Sequence, residues 1–199
     1  MEFPGLYNPL ESNLLPCDGE VLYSQNFIEE DYLEELINDI KWGQSNIKIF
    51  GKTIPEPRLT AWYADPEINY TYSGATKTPI PWNLTLLDLK KKVEIASGIS
   101  FNGVLLNYYR SGTDYMGWHS DDEKELGDNP IIASLSFGEE RRFQLKHKTK
   151  KELETKTIQT KSGSLIIMKG ETQKHWKHRL AKTEKKVGER INLTFRKIV

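Results

Sequence analysis

The segment WHSDDE places a histidine and several carboxylates at the end of a stretch with the character of a buried strand. Alternate side chains of an extended segment share a face, so His119, Asp121 and Glu123 are expected to point the same way. An imidazole and a carboxylate at this spacing can bind one metal ion, but a further ligand has to come from elsewhere in the chain. The segment KHWKHRL offers His175 and His178, which a strand would place on opposite faces, so we expect only one of them to bind.

Two histidines and one carboxylate form the facial triad of non-haem iron(II) oxygenases, in which three coordination positions stay open. Zinc accepts the same donors, so a zinc hydrolase is an alternative on the ligands alone. The C-terminal segment RINLTFR favours the first interpretation. As a strand it has Ile191, Leu193 and Phe195 on one face and two arginines, Arg190 and Arg196, on the other. Buried guanidinium groups require anions, and a small dicarboxylate that also chelates the metal would meet that need.

The elements around these residues change in character along the chain. The period of apolar residues predicts a helix over residues 28–42, with Glu29, Glu30 and Asp31 in its first turn. A second helix is predicted in NLTLLDLKKKVEIASG, capped by Asn83 or Thr85 and ended by Gly98, with Leu86, Leu89 and Val93 facing inward. From Gly103 onward short strands follow one another, such as GVLLNYY, IIASLSF, RRFQLKH and SLIIMK, which predicts a β-sandwich or barrel.

Charge is distributed unevenly along the 199 residues, although the formal net charge is zero. Residues 141–199 contain 18 Lys and Arg against 5 Asp and Glu. Such a basic region indicates contact with nucleic acid, the alternative being a solvated charged surface. The candidates for phosphate contact are Lys146, Lys148, Lys150, Lys151, Lys174, Lys177 and Arg179.

The single cysteine and the lack of an apolar leader predict an intracellular protein, cytoplasmic or nuclear, without disulfides. No apolar run is long enough for a membrane span, so no membrane partner is expected. We expect a monomer with a proline- and glycine-punctuated N-terminal arm over residues 1–18. The rest, residues 19–199, is expected to form one catalytic domain, with an N-terminal extension over 19–100 and a core over 101–199.

The chain resembles the AlkB family in NYYRSGTDYMGWHSDDE, in PIIASLSFG and in HRL followed by RINLTFR. Members of that family are Fe(II)- and 2-oxoglutarate-dependent dioxygenases that remove alkyl groups from nucleobases. The resemblance extends from FGKTIPEPRLTAWYAD to the C terminus. It implies a mainly β fold with flanking helices (α+β), a double-stranded β-helix or jelly-roll. It also implies Fe(II), 2-oxoglutarate and dioxygen as cofactor and co-substrates.

The resemblance also implies roles for individual residues of the cavity. It gives the iron ligands as His119, Asp121 and His178, because the distance from His178 to the RINLTFR strand matches the family. It gives the 2-oxoglutarate site as two groups of residues. Arg190, Asn107 and Tyr109 would bind the distal carboxylate, and Asn192 and Arg196 would lie near the end that chelates iron.

On the substrate side the resemblance implies a lid of Tyr70, Tyr72 and Ser73, with Arg58 close by. It also implies Glu123 as the residue that faces the damaged base, and the segment IFGK resembles a finger hairpin with Phe50 as its candidate wedge. Glu123 would accept a hydrogen bond from an exocyclic amine, and its charge would favour bases made cationic by methylation. Phe50 would fill the gap left by a flipped base in a duplex, or simply pack its hairpin. Yet PRLTAWY and WHSDDE resemble relatives that prefer single strands, so both DNA forms, and RNA, stay open.

The implied function is oxidative demethylation of 1-methyladenine and 3-methylcytosine in alkylated DNA, with release of formaldehyde. One alternative is a 2-oxoglutarate-dependent hydroxylase or demethylase of RNA or protein with a regulatory role. Another is a non-catalytic nucleic-acid-binding module with a structural metal. A structural metal normally has a closed coordination shell, whereas this sequence offers three ligands beside an arginine pair.

Overall fold

A computed structural model of the protein describes residues 12–49, 52–68, 70–72 and 75–199. In these ranges the helices are α1 (Leu33–Asp39), α2 (Leu84–Ser97) and α3 (Thr172–His175). The N-terminal strands are β1 (Glu20–Ser24), β2 (Asn46–Ile49), β3 (Lys52–Pro55), β4 (Leu59–Ala64), β5 (Tyr70–Tyr72) and β6 (Ala75–Lys77). The later strands are β7 (Gly103–Tyr109), β8 (Met116–His119), β9 (Ile132–Gly138), β10 (Arg141–His147), β11 (Lys156–Thr160), β12 (Ser164–Lys169), β13 (Trp176–Leu180) and β14 (Arg190–Arg196).

Ten of these strands form two antiparallel sheets. The larger has the order β1-β12-β9-β14-β7-β4, and the smaller has the order β11-β10-β13-β8. Strand β14 lies inside the larger sheet, where Asn192 is opposite Asn107 of β7 on one side and Ser136 of β9 on the other. The functional strand predicted from RINLTFR therefore has a neighbour along each edge, which fixes the direction of its side chains.

The two sheets face each other across an apolar cluster to which both contribute. Leu105 and Ile132 of the larger sheet pack in it with Phe143 and Leu145 of the smaller one. Such packing of two antiparallel sheets around a common interior confirms the predicted jelly-roll. A second cluster covers the opposite face of the larger sheet, where the helices pack on the apolar side chains of β14.

Helix α2 agrees with its prediction in start, buried face and end. The Asn83 side chain accepts a hydrogen bond from the Leu86 N–H at 2.8 Å, so the cap is Asn83 and not Thr85. Leu86, Leu89 and Val93 are fully buried in the second cluster. Gly98 ends the helix in the left-handed conformation, with φ 74°. The helix thereby covers the back of the sheet that carries the candidate site.

Helix α1 is shorter than predicted, and this part of the sequence interpretation is wrong. The helix runs from Leu33 to Asp39, so the acids Glu29, Glu30 and Asp31 precede it. The cause is a contact distant in sequence. Ile28 is buried, and its N–H donates to the Gly163 carbonyl at 2.9 Å, which ties this segment to the β11–β12 turn.

Residues 12–18 lie against the smaller sheet. Leu15 is buried in the cluster between the sheets, and the Trp176 indole N–H donates to the Cys17 carbonyl at 3.2 Å. Residues 1–11 of the predicted arm lie outside the described residues, and the division at residue 18 stays a prediction. Among the helices the structure describes, none combines the length and apolar character required to cross a membrane.

Candidate metal and cofactor site

A cavity opens between the two sheets, and polar side chains from both sheets line it. Apolar side chains of Leu105, Met116, Phe143, Met168 and Leu180 form the rest of the wall. The polar lining consists of Asn107, Tyr109, His119, Asp121, Ser134, His178, Arg190, Asn192, Thr194 and Arg196. All eight residues that the sequence assigns to the metal and to 2-oxoglutarate therefore meet in one cavity.

Two neighbouring strands and the loop after one of them bring three candidate metal ligands together. His119 ends β8 and is paired in register with His178 of β13, and Asp121 follows His119 in the loop. One ligand atom of each residue lies within 4.8 Å of the other two. This spacing allows a single ion to contact all three.

Both histidines of this group are held neutral, as metal binding requires. The Nδ1 of His119 is 2.8 Å from the Gly117 carbonyl and must be the donor, which leaves the Nε2 lone pair for a metal. Desolvation lowers the pKa of His119, with Asp121 opposing the decrease. Burial, together with the nearby His119, lowers the pKa of His178 to about 3. The His178 ring stacks on Phe143, with 5.4 Å between ring centroids.

Asp121 is fixed from two directions. Its Oδ1 accepts a hydrogen bond from Arg196 Nη2 at 2.7 Å, and its backbone N–H donates to Gln173 Oε1 at 2.9 Å. Burial alone would raise the pKa of Asp121, but the positive charge of Arg196 and its hydrogen bond to the carboxylate lower it to about 2. Asp121 is therefore a carboxylate, and its Oδ2 is 3.8 Å from the Nε2 of His178. Two neutral imidazoles and one carboxylate fit Fe(II).

His175 belongs to a different group, in which its ligand atoms lie within 4.8 Å of those of Asp18 and His147. The Nδ1 of His147 accepts hydrogen bonds from the backbone N–H groups of Thr149 at 3.2 Å and Lys150 at 2.9 Å. The proton of the neutral ring is therefore on Nε2, which donates to Asp18 Oδ2 at 3.0 Å. No lone pair of His147 is left for a metal, so Asp18 and His147 form a hydrogen bond, with the His175 ring stacked on His147, and not a metal site.

Arg190 lies deeper in the cavity and is prepared for an anion. Its Nη2 donates to Ser136 Oγ at 2.8 Å and to Thr160 Oγ1 at 3.4 Å, whereas its buried Nε has no hydrogen-bond partner. Burial lowers its pKa to about 10; Tyr109 opposes the decrease, and the charge of Arg141 adds to it. In the described part of the chain no carboxylate pairs with Arg190. A buried guanidinium with an unused donor fits a carboxylate of 2-oxoglutarate.

On β7, Tyr109 lies opposite Arg190 and Asn107 lies opposite Asn192. The Arg190 guanidinium lies over the Tyr109 ring, 5.4 Å from its centroid. Asn107 Oδ1 accepts a hydrogen bond from Arg58 Nε at 2.8 Å, and Arg58 Nη2 donates to Glu56 Oε1 at 3.1 Å. Because the oxygen end of the Asn107 amide is used by Arg58, its nitrogen end is the one available as a donor to a cofactor carboxylate.

Asn192 and Arg196 follow Arg190 on β14 and also line the cavity, and their expected place near the iron-chelating end of 2-oxoglutarate stays a prediction. The Asn192 Nδ2 donates to Ser134 Oγ at 2.8 Å and to the Leu135 carbonyl at 3.0 Å. Its Oδ1 accepts from the Thr194 hydroxyl at 3.1 Å. The amide is therefore held in one orientation, while Arg196 contacts the candidate ligand Asp121 directly.

The structure describes only some of the residues that we expect to contact the substrate. Arg58 is buried against Asn107, so its expected contact with nucleic acid stays a prediction. Glu123 is partly buried and precedes a 3-10 turn, outside the set of residues that line the cavity. Tyr70 and Tyr72 lie on β5, which pairs with β6 in a hairpin. The Tyr70 and Tyr72 side chains, as well as Phe50 and Ser73, lie outside the described residues.

Several residues that support the site were not identified from the sequence. Ser134 and Ser136 of β9 hold Asn192 and Arg190, and Thr160 of β11 also contacts Arg190. The alternation of IIASLSFG carries a signal for the two serines, since small polar residues recur on one face of an otherwise apolar strand. Gln173, which holds the backbone of Asp121, has no comparable signal, because it is distant in sequence and part of a short helix.

Comparison with known proteins agrees with this geometry. The family model of the 2OG-Fe(II) oxygenase superfamily matches residues 21–196. Its description names Fe(II) and 2-oxoglutarate, the groups that the triad and Arg190 fit.

Individual relatives show to which family within this superfamily the chain belongs. Alpha-ketoglutarate-dependent dioxygenase alkB homolog 3 of Rattus norvegicus is 43% identical over 174 residues, which cover 83% of this chain but only 58% of the rat protein. DNA oxidative demethylase ALKBH2 of Mus musculus is 36% identical over 198 residues, 96% of this chain and 83% of the mouse protein. The solved structure of OsALKBH1 has the same fold, with a TM-score of 0.66 at 17% identity, covering 95% of this chain and 100% of that one. The chain therefore belongs to the AlkB family of the 2OG-Fe(II) oxygenase superfamily.

Proposed function

We propose that the protein is an Fe(II)- and 2-oxoglutarate-dependent dioxygenase that demethylates bases of nucleic acid, with 1-methyladenine and 3-methylcytosine as its substrates. The observation that carries the proposal is that the His119, Asp121 and His178 ligand atoms and the unsatisfied Nε of Arg190 belong to one cavity. Support for nucleic acid as the substrate comes from the mouse relative, whose name is DNA oxidative demethylase.

In this proposal His119, Asp121 and His178 hold the iron, and Arg190 binds the distal carboxylate of 2-oxoglutarate with help from Asn107 and Tyr109. When bound, Fe(II) and 2-oxoglutarate react with dioxygen, so that the methyl group is hydroxylated and lost as formaldehyde while succinate and carbon dioxide form. The protein provides the position of each reactant.

The wall of the cavity contributes by limiting water. Leu105, Met116, Phe143 and Leu180 surround the polar residues, and their side chains cannot hydrogen-bond to water. Exclusion of water strengthens the attraction between Arg190 and a bound carboxylate, and it protects reactive species from side reactions. The fixed hydrogen bonds of Asp121 and Asn192 reduce the reorganisation that binding requires.

On the substrate side, we place the methylated base between the lid of Tyr70, Tyr72 and Ser73 and the carboxylate of Glu123. Aromatic side chains stack on an extruded base, and an acid favours the cationic methylated form over the neutral normal base. Phe50 would act as a wedge only on a duplex.

The test is turnover of a methylated oligonucleotide by the purified protein with Fe(II), ascorbate and 2-oxoglutarate, followed by mass spectrometry. We expect the mass of the oligonucleotide to fall by that of one CH2 unit, because hydrogen replaces the methyl group, and we expect formaldehyde and succinate to form in equal amounts. Asp121→Asn should abolish turnover. Asp122→Asn is the matched control, because Asp122 is an exposed neighbour whose partner is Lys148, and it should retain activity.

Single- and double-stranded DNA and RNA substrates, assayed in parallel, assign the preferred nucleic acid. Succinate formation with an unchanged oligonucleotide mass on every substrate would contradict the demethylase proposal and favour a hydroxylase of another target. Absence of succinate with bound metal would contradict the oxygenase itself.

A further inference from the structure

The outer face of the smaller sheet, which points away from the cavity, carries Trp118, Lys146, Lys177 and Arg179, here called the outer basic patch. Along β10 and β13 these cations alternate with buried residues that face the interior. Trp118 comes directly before His119 on β8. The patch and the candidate metal site therefore share one strand and lie on its two sides.

Two of the three cations of the patch, Lys146 and Arg179, are held in place by contacts with Trp118. The Lys146 Nζ and the Arg179 Cζ each lie 4.4 Å from the centroid of a Trp118 ring. Arg179 Nε also donates to Gln144 Oε1 at 2.9 Å. Cation–π contacts of this kind restrict long basic side chains that would otherwise be mobile. The charges of Lys146 and Arg179 are thus fixed over the sheet, with Lys177 on the same face.

Positive charge in the patch is not compensated by the fold. Lys146 and Lys177 are directly opposite each other in the β10–β13 register, an arrangement in which like charges destabilise a sheet. Among the residues that the structure describes, no carboxylate pairs with Lys146, Lys177 or Arg179. Lys148, the first residue after β10, does pair with Asp122, at 3.3 Å. Basic groups that lack a partner within the described chain and cost stability are explained if an anion from outside the chain binds to them.

We propose that the outer basic patch binds phosphates of the substrate strand away from the nucleotide that enters the cavity. This inference rests on the proposed function, which supplies a polyanion at a neighbouring position. A strand with one base in the cavity continues for several nucleotides, and its repeated charges match several cations on one face of a sheet. Trp118 acts as a positioning residue for Lys146 and Arg179. The patch thereby extends the contact with the substrate beyond the target base.

The experiment compares two double variants of equal charge on substrates of different length. Lys146→Gln/Lys177→Gln removes two charges of the patch, and Lys185→Gln/Lys186→Gln removes two exposed charges from the loop between β13 and β14. Each protein is assayed on a methylated trinucleotide and on longer methylated single strands, at several salt concentrations. We expect the KM of the patch variant for long strands at low salt to rise on the order of tenfold. The plot of log affinity against log salt has a negative slope, and its magnitude should decrease by about 0.7 for each phosphate contact removed.

Turnover of the trinucleotide should be the same in both variants and in the wild type, because it is too short to leave the cavity. Equal KM and equal salt slope for the patch variant and the wild type on long strands would overturn the proposal. An equal loss in the Lys185/Lys186 control would also overturn it, since the effect would then be one of total charge.

Loss of poly-glutamate binding by the patch variant with unchanged oligonucleotide binding would overturn it in favour of an acidic protein partner. If the wild type turns over neither the trinucleotide nor the long strands, the proposed function fails instead.

Discussion

Arg196 and Asp121 form an ion pair inside the cavity, with 2.7 Å between Arg196 Nη2 and Asp121 Oδ1 and side chains only 3% and 1% exposed. The pair uses one carboxylate oxygen and leaves Oδ2 on the side of His178. Arg196 therefore selects which oxygen is offered to a metal. It also makes the charge of a buried carboxylate tolerable before any metal binds.

Replacement of Arg196 by Met should destabilise the metal-free protein by about 3–5 kcal/mol, because it leaves the Asp121 charge buried and unpaired. The double variant Arg196→Met/Asp121→Asn should recover much of this loss, since both charges are then removed. Urea unfolding of the two single variants and the double variant measures the coupling. Lys174→Met is a control that breaks an exposed pair with Glu171, and it should cost less than about 1 kcal/mol. Equal losses for Arg196→Met and Lys174→Met would contradict the interpretation.

Arg190→Met should remove binding of 2-oxoglutarate while leaving the fold intact. The variant loses a buried guanidinium that has an unused Nε and a positively charged neighbour, Arg141, so its cofactor-free stability should match or exceed that of the wild type. At 2-oxoglutarate concentrations 100 times Kd, with Mn(II) present, the wild type should gain about 2.7 kcal/mol. Thermal unfolding with and without 2-oxoglutarate tests this, and a similar gain in the variant would show that Arg190 is not the anchor.

Arg58→Lys should raise the KM for 2-oxoglutarate more than the KM for the oligonucleotide. Arg58 orients the amide of Asn107, and lysine cannot reach both Asn107 and Glu56 with the geometry of a guanidinium. Loss of one oriented hydrogen bond should change the KM by on the order of tenfold. Steady-state kinetics with each substrate varied in turn separates the two effects. A change confined to the KM for the oligonucleotide would instead favour a direct contact of Arg58 with nucleic acid, as the resemblance implies.

The parts of the fold that the sequence predicted correctly depend on local patterns. The alternation in RINLTFR placed Arg190 and Arg196 on the cavity face, and Asn83 and Gly98 marked the two ends of α2. The start of α1 was missed because Ile28 is held by a hydrogen bond to Gly163, a contact between segments far apart in the chain. No periodicity of a single segment contains such information.

The same distinction applies to the site. The spacing of His119 and Asp121 was sufficient to suggest half of a metal site, but spacing alone left His175 and His178 equivalent. The structure separates them, because His175 ends a short helix and packs near His147, whereas His178 pairs with His119 across two strands. The roles of Ser136 and Gln173 follow from packing between elements, which the order of residues does not record.

Asp18 gives a prediction for acid stability. The hydrogen bond from Lys150 at 2.6 Å is the main cause that lowers the pKa of Asp18 to about 2, with a smaller contribution from His147. Because the folded-state pKa lies below the unfolded value, the stabilisation is complete above about pH 4 and is lost as the pH falls toward 2. The difference in unfolding free energy between wild type and Asp18→Asn should therefore be constant from pH 7 to pH 5 and shrink below pH 4. A difference that grows on acidification would have the wrong sign.

Lys177→Glu should stabilise the protein while it weakens binding of long substrate strands. The substitution turns the like-charge pair of Lys146 and Lys177 into an opposite-charge pair, a gain of about 0.2–1 kcal/mol. Lys177→Gln removes the repulsion without adding an attraction and should gain less. Urea unfolding at low salt and at 1 M salt checks the cause, because a screening length of about 3 Å at 1 M should remove most of the difference. A variant that is more stable yet binds long strands less well would show that the chain retains this repulsion for binding. Unchanged stability at low salt would instead mean that the two lysines do not repel each other.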